Sequence, residues 1–180
     1  MSRKILFKAK AKSDEQWTQG DVIHEPIGMT IHREKYGMPV RIPVHPDTLC
    51  QYTGFTDTTT WEELSLMEQQ VFLSEWNPTE HRKNTPQDWH GWNIWENDIL
   101  EETRKGLQTR RYRVLWDDEE GSWMMETTSG ARFGLSILNQ NNLNVIGNIF
   151  DNPTCMEVTE WLNKHQTIST KKQLQKPFRS

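Results

Sequence analysis

The stretch VIGNIFDNP, residues 145–153, joins an apolar run to residues that form turns and begin helices. The apolar residues around Gly147 suit a β-strand, and a glycine inside such a run predicts a bulge or a close backbone approach. Asp151 and Asn152 can accept hydrogen bonds from the first amides of a helix, and Pro153 suits its first position. The stretch therefore predicts the joint between a closing strand and a C-terminal helix, in preference to a catalytic loop.

Short strands precede this joint. Apolar and polar residues alternate in five segments that turn residues separate: NIWENDIL, RYRVLW, SWMMET, ARFGL and LNVIGNI (93–100, 111–116, 122–127, 131–135 and 143–149). The acidic run DDEEG at 117–121 reads as a solvated hairpin tip. Several short strands at this spacing predict a small, strongly bent antiparallel barrel over residues 90–150.

The N-terminal third predicts strands and loops. KILFKAK, residues 4–10, alternates Ile5, Phe7 and Ala9 with Lys4, Leu6, Lys8 and Lys10. This predicts an edge strand whose lysines block further pairing. Residues 21–50 contain four prolines and little periodicity, so they predict short extended pieces on the surface.

One helix is predicted between these two regions. Thr60 and Glu63 match a capping box, and apolar residues follow at helical spacing: Trp61, Leu64, Met67 and Val71. Residues 77–90 are polar and contain prolines, which predicts a loop.

The prediction for the whole chain is mainly β with added helices, an α+β fold. A single domain over 1–168 would comprise N-terminal strands and loops (1–55), a helical insertion (56–89), the small β-barrel (90–150) and a C-terminal helix (151–168) that buries Met156, Trp161 and Leu162. The basic tail, 169–180, is predicted to be disordered.

Composition indicates a protein of the cell interior. The chain has 180 residues and a net charge of −4, without an apolar run of membrane-spanning length and without a signal-peptide core. Its two cysteines, Cys50 and Cys155, are far apart in sequence, as expected in a reducing compartment. We therefore expect a cytoplasmic protein without a membrane partner.

No catalytic motif stands out. The six histidines form no metal-binding spacing, and the phosphate-binding glycine loops and the GxSxG elbow are absent from the sequence. His81, Asp88 and His90 in the polar loop are the nearest approach to a metal or acid–base cluster, and a chance surface grouping is the favoured interpretation. No cofactor, metal ligand or catalytic residue is predicted.

Charge is concentrated at the ends of the chain. Nine Lys and Arg residues and no acid lie within 1–12 and 169–180, so the net −4 leaves −13 for residues 13–168. A nucleic-acid module would contact phosphates through the ends, with these candidates: Lys4, Lys8, Lys10, Lys171 and Lys172. Six aromatic residues could add a stacking platform: Trp92, Trp95, Tyr112, Trp116, Trp123 and Phe133. Residues 90–150 hold nine acids against six bases, however, which disfavours such a platform.

Three segments, read after the KILFKAK strand, together resemble the YopX family of phage and prophage proteins: QYTGF (51–55), HGWNIWENDIL (90–100) and VIGNIFDNP (145–153). The family motifs place structural residues at Gln51, Tyr52, Thr53, Gly54, Gly91, Trp95, Glu96, Asn97, Asp98, Gly147, Asn148, Asn152 and Pro153. Residues 56–89 depart from the family pattern as an insertion. Asn97 stands where the family has a glycine, and asparagine is the next best residue for a left-handed turn.

The resemblance implies an SH3-like barrel with appended elements, encoded by a phage or prophage, and it implies no particular reaction. The leading hypothesis is a non-enzymatic accessory protein in the bacterial host cell. It would act through contacts with a phage or host protein and as a homo-oligomer. The alternative is a nucleic-acid-binding module that uses the basic ends.

Overall fold

The structure is a computed structural model that describes residues 5–26, 28–35, 38–77, 80–103, 109–140 and 142–156. These residues are mainly β, with two larger antiparallel sheets and few helices, as the predicted α+β class requires. The chain divides into two compact units, Met1–Glu96 and Asn97–Ser180. The prediction of one domain over 1–168 stays a prediction.

A six-stranded antiparallel sheet forms most of the first unit. Its spatial order is β4-β3-β2-β1-β5-β8, with bounds β1 Phe7–Lys10, β2 Trp17–Glu25, β3 Gly28–Lys35, β4 Met38–Pro43, β5 Cys50–Thr56 and β8 Asn93–Trp95. β1 lies between β2 and β5, so the prediction of an edge strand is wrong. The alternation of its residues revealed a strand with two different faces, but it carried no information about the number of neighbours.

Residues 21–50 are more regular than predicted. Most of them form the antiparallel meander β2–β3–β4, so the expectation of short surface pieces is wrong. Pro39 and Pro43 are tolerated because β4 is the edge of the sheet, where a missing amide breaks no ladder. Ala9, Ile31 and Val44 are fully buried at the core of this unit.

The segment 56–89 begins with two short helices in place of one long one. A 3-10 helix, Trp61–Glu63, ends before Ser65 caps the α-helix α1, Leu66–Ser74. Of the apolar residues that predicted the helix, Leu64 is buried, whereas Met67 and Val71 are 76% and 54% exposed. Predicted loop residues also form a small hairpin, β6 Trp76–Asn77 with β7 Arg82–Lys83, and a 3-10 turn, Pro86–Asp88.

A five-stranded antiparallel sheet forms the second unit. Its spatial order is β12-β11-β10-β9-β13, with bounds β9 Asp98–Glu102, β10 Arg110–Asp117, β11 Ser122–Glu126, β12 Arg132–Gly134 and β13 Leu143–Asn148. A 3-10 helix, Leu135–Gln140, connects β12 to β13. Pairing among the described residues leaves β12 and β13 as edges, so it does not close the predicted barrel.

The opening stretch behaves largely as its residue types predict. The pairing of β13 with β9 shifts register between Val145 and Gly147, which is the predicted bulge. Residues 154–156 are helical, but the Asn152 side chain turns away from them. Its Oδ1 accepts a hydrogen bond from the Asn148 amide at 3.4 Å, and its backbone carbonyl accepts from the Cys155 amide at 2.9 Å.

The rest of the predicted C-terminal helix, including Trp161 and Leu162, and the tail 169–180 lie outside the described residues. Within the described ranges, every helix falls short of the length and apolar character that a membrane span requires.

Candidate functional site: an aromatic cleft in the first unit

An open cleft of about 540 Å³ lies in the first unit. The sheet supplies one wall, and α1 with the loop before β8 supplies the other. The residues that line it are Gln19, Tyr52, Thr56, Phe72, Glu75, Asp88, Trp89, His90, Gly91, Trp92, Asn93 and Trp95. Five of these are aromatic. The volume of the cleft and its mixture of aromatic and polar lining residues are those of a binding site.

The pairing of the strands places the sheet residues on one face. Gln19 and Cys50 lie opposite Lys8, and Tyr52, two residues beyond Cys50, lies opposite Trp95. The rings of Tyr52 and Trp95 are 5.4 Å apart. Burial raises the pKa of Tyr52, so its hydroxyl stays protonated at neutral pH and can donate a hydrogen bond.

Asp57 fixes the loop that forms the opposite wall. Its Oδ1 accepts from the amides of Trp92 at 2.8 Å and of Thr59 at 3.1 Å, and its own amide donates to the Trp92 carbonyl at 2.8 Å. Gly91 makes this approach possible, because its φ is +93° and a Cβ there would overlap the Asp57 carbonyl. The family glycine at 91 therefore has a structural role beside the cleft.

A chain of aromatic contacts supports the same wall. Centroid distances are 5.9 Å for Trp61–Phe72, 5.2 Å for Phe72–Trp89 and 4.9 Å for Trp89–Trp92, and the last two pairs are edge to face. The Trp89 indole donates to the Thr59 carbonyl at 2.8 Å. Rings held in this way keep the cleft in shape without a ligand.

Asp88 is occupied by structural contacts. Arg82 donates to both of its oxygens, at 2.7 and 3.0 Å, and the Thr85 amide and hydroxyl donate at 2.6 and 2.8 Å. The Arg82 hydrogen bond and then those from Thr85 hold the pKa of Asp88 far below its usual range. The carboxylate therefore stays ionised at neutral pH. With Thr85 it forms the capping box of the 3-10 turn Pro86–Asp88.

The structure partly assembles the cluster predicted from His81, Asp88 and His90. Asp88 and His90 line the cleft, whereas His81 does not. Across the described part of the chain, no group of three His, Cys, Asp or Glu side chains could hold a metal ion.

Two predicted phosphate contacts are described, and both lie beside tryptophans. The Lys8 ammonium is 5.1 Å from the Trp17 ring and 5.3 Å from the Trp95 ring, and the Lys10 ammonium is 5.7 Å from Trp17. These are cation–π distances. Lys4, Lys171 and Lys172 lie outside the described residues.

The six aromatic residues proposed as a stacking platform do not share one unit. Trp92 and Trp95 belong to the first, and the other four belong to the second, where they form two edge-to-face pairs: Tyr112–Phe133 and Trp116–Trp123. Tyr112, Trp123 and Trp95 are buried. Some of these rings therefore fill the core.

The other family-motif residues make backbone contacts. In the first unit, the Thr53 hydroxyl donates to the Ile94 carbonyl at 2.7 Å, Gly54 has a φ of +88°, and the Gln51 carbonyl accepts from the Glu96 amide at 2.9 Å. In the second unit, Asn97 has a φ of +67°, the left-handed conformation expected for a residue in a glycine position.

Asp98 and Asn148 belong to the paired strands of the second unit. Asp98 is buried and lies opposite Asn148, which is also buried. The Asn148 Oδ1 accepts from the amides of Phe150 at 2.9 Å and Asp151 at 3.0 Å. Pro153 precedes the helical residues 154–156.

Phe72 and Trp89 were not among the predicted site residues. A signal was present, since WHGWNIW, residues 89–95, holds three tryptophans in seven positions. Phe72 could not be found in this way, because it faces the cleft only once α1 begins at Leu66.

A comparison with known protein families gives a match over the later part of the chain. Residues 86–157 match the family described as YopX protein. The predicted resemblance is therefore confirmed over these residues, which include the loop wall of the cleft and the sheet of the second unit. KILFKAK and QYTGF lie before the match, and their resemblance stays a prediction.

Comparison with curated proteins gives no match. Among solved structures, the chain is similar to the protein EF1440 from Enterococcus faecalis, with 17% sequence identity and a TM-score of 0.43. The alignment covers 86% of this chain and 99% of that one.

Proposed function

We propose that this chain, whose residues 86–157 match the YopX family, is a phage- or prophage-encoded accessory protein that binds a partner protein in its aromatic cleft. It acts in the cytoplasm of the bacterial host, without catalysis and without a cofactor, and as a homo-oligomer. The partner is a phage or host protein that inserts apolar or aromatic side chains between Tyr52, Trp89 and Trp92.

The main support for this proposal is the aromatic wall of the cleft, in which Phe72, Trp89 and Trp92 hold one another in place. Tyrosine and tryptophan give large contact areas at a small entropic cost, and they dominate the binding energy of protein interfaces. Asp88, one of the ionisable residues that line the cleft, is bound by Arg82 and Thr85. These features support binding over turnover.

The connectivity of the second unit supports an SH3-like barrel as part of the proposal. Its strands β9 to β12 pair in sequence, and the chain then passes through a 3-10 helix before β13 returns beside β9. Small barrels of this kind frequently bind peptides, but a fold alone does not specify a partner.

The test is capture of the partner by purified protein from induced host cells, with nuclease present. Trp92→Ala should lose the captured protein. Trp116→Ala is a closely matched control, because both tryptophans are 38% exposed and each has one edge-to-face tryptophan neighbour, at 4.9 Å and 5.1 Å. Circular dichroism checks that both variants are folded.

Equal capture by the wild type and the folded Trp92→Ala variant would contradict the cleft as the binding site. Light scattering on the purified protein tests the oligomer separately, and a monomer at micromolar concentration would remove that part of the proposal.

A specific observation keeps nucleic-acid binding as the alternative. Lys8 and Lys10 lie over Trp17, which places positive charge beside aromatic surface. The alternative predicts that single-stranded DNA binds with an affinity that falls steeply with salt, and that Lys8→Gln with Lys10→Gln weakens it. Binding that neither salt nor these substitutions alters would contradict it.

A further inference from the structure

The outer face of α1 exposes adjacent apolar side chains. Leu66, Met67 and Val71 are 79%, 76% and 54% exposed, and we call these three residues the α1 ridge. Met67 and Val71 are four residues apart and so lie one above the other, whereas Leu66 projects about 100° around the helix from Met67. Single exposed apolar residues are ordinary, but three within the first two turns of one helix indicate a contact surface.

Both ends of α1 are fixed. Ser65 and Glu68 form a capping box at its start, in which the Ser65 amide donates to the Glu68 carboxylate at 2.8 Å. At its end, the Asn84 side-chain amide donates to the Phe72 carbonyl at 3.1 Å. The ridge is therefore presented on a formed helix, which lowers the entropic cost of binding.

The stretch of sequence that carries the ridge is acidic. Residues 51–81 contain six Asp and Glu residues and no Lys or Arg. Three of the acids belong to the short helices and do not line the cleft: Glu62, Glu63 and Glu68. Hydrogen bonds from Ser65 lower the pKa of Glu68, so this carboxylate is charged at neutral pH.

An apolar strip with an acidic border selects a basic partner. A second copy of the same ridge would bring like charges face to face, because a two-fold contact pairs each surface with itself. An amphipathic helix with Lys or Arg beside its apolar face meets the border with opposite charge. Two to three turns of such a helix match the nine residues of α1.

We propose that the α1 ridge docks a basic amphipathic helix of a partner protein. This surface is separate from the cleft, since α1 turns Phe72 and Glu75 toward the cleft and the ridge residues do not line it. The ridge also lies outside residues 86–157, so it belongs to the part of the chain beyond the family match.

The test uses a fluorescent 14-residue helical peptide with leucines on one face and lysines on the other. Its titration by the full-length protein is followed by anisotropy. We expect the Leu/Lys peptide to bind, and the double variant Met67→Ser with Val71→Ser to bind at least about tenfold more weakly, because two buried apolar contacts are lost. A Leu/Glu peptide should not bind.

A matched control double variant is Met38→Ser with Ile23→Ser, since these side chains are 63% and 39% exposed elsewhere in the same unit. It should bind the Leu/Lys peptide like the wild type. Trp92→Ala should also bind it unchanged, which separates failure of the ridge from failure of the cleft.

Four results would overturn the proposal. The Leu/Lys peptide could fail to bind, it could bind the ridge variant as well as the wild type, or the Leu/Glu peptide could bind equally. The fourth is a wild-type dimer that the ridge substitutions dissociate, because the occupant would then be a second copy of the chain.

Discussion

Because Gly147 has no Cβ, strand β13 can lie against the side chain of Asn152 in the turn that follows it. Gly147 has a φ of +154°, and a Cβ there would overlap the Asn152 side-chain oxygen. That oxygen accepts from the Asn148 amide at 3.4 Å, and the Asn148 side chain in turn accepts from two amides after β13. The bulge, the turn and the start of the helix therefore depend on one another.

We predict that Gly147→Ala destabilises the protein by about 2–3 kcal/mol, through an unfavourable φ and the overlap with Asn152. Urea denaturation followed by circular dichroism measures the change. Gly130→Ala is the matched control: its φ is +83° and nothing lies within 4 Å of the added carbon, so about 1 kcal/mol is expected. Equal losses in both variants would show that the contact with Asn152 is unimportant.

A second prediction at this scale concerns pH. The pKa of Asp88 is lowered in the folded protein by Arg82 and Thr85, so the ionised carboxylate stabilises the fold above its unfolded pKa of about 4. That stabilisation is lost as pH falls through the folded pKa. Asp88→Asn should therefore be less stable than the wild type at pH 7, and the difference should shrink below about pH 4. Thermal melts at pH 7 and pH 3 test this, and a constant difference would contradict it.

These residues show what the sequence can reveal at the scale of one side chain. Gly147 and Asn97 could be interpreted correctly because φ preferences are a local property of a residue type. Asp88 was weighed as an acid–base residue because its partner, Arg82, lies in a hairpin that the sequence had suggested to be a loop. A carboxylate cannot be assigned a role before its partners are known.

At the scale of elements, α1 has two faces with different tasks. Phe72 points inward to Trp61 and Trp89, whereas the α1 ridge points to solvent. Apolar residues therefore occupy both faces of this helix. Helical periodicity could predict that a helix exists here, but it could not tell which apolar face is buried.

We predict that Phe72→Ala destabilises the protein by about 2 kcal/mol or more, because a partly buried ring with two aromatic neighbours is removed. Leu66→Ser on the outer face should change the free energy of unfolding by no more than about 0.5 kcal/mol. Chemical denaturation of both variants gives the comparison. A larger loss for Leu66→Ser than for Phe72→Ala would reverse the assignment of the two faces.

At the scale of the whole molecule, the sequence could predict part of the local pairing and none of the long-range pairing. The local meander β2–β3–β4 was missed because its prolines indicated breaks. Strands β9 to β12 pair with their neighbours in sequence, so turn signals were enough to place them. β1 pairs with β5 across more than 40 residues, as in Phe7 opposite Gln51, and no local pattern encodes such a contact. For this reason the basic N-terminal strand was wrongly predicted to lie at the edge of a sheet.

The position of β1 changes how the basic N-terminus must be tested. Removal of residues 1–10 deletes a strand that pairs on both sides, so it should unfold the sheet of the first unit as well as remove charge. We predict that hydrogen exchange of the β2 and β5 amides becomes fast in the truncated protein. Lys8→Gln with Lys10→Gln removes two of the four basic side chains that the truncation deletes, and it should keep these amides protected because the backbone pairing remains. If the truncated protein kept its β5 amides protected, β1 would not be needed to hold the sheet together, and loss of nucleic-acid binding on truncation could then be assigned to charge alone.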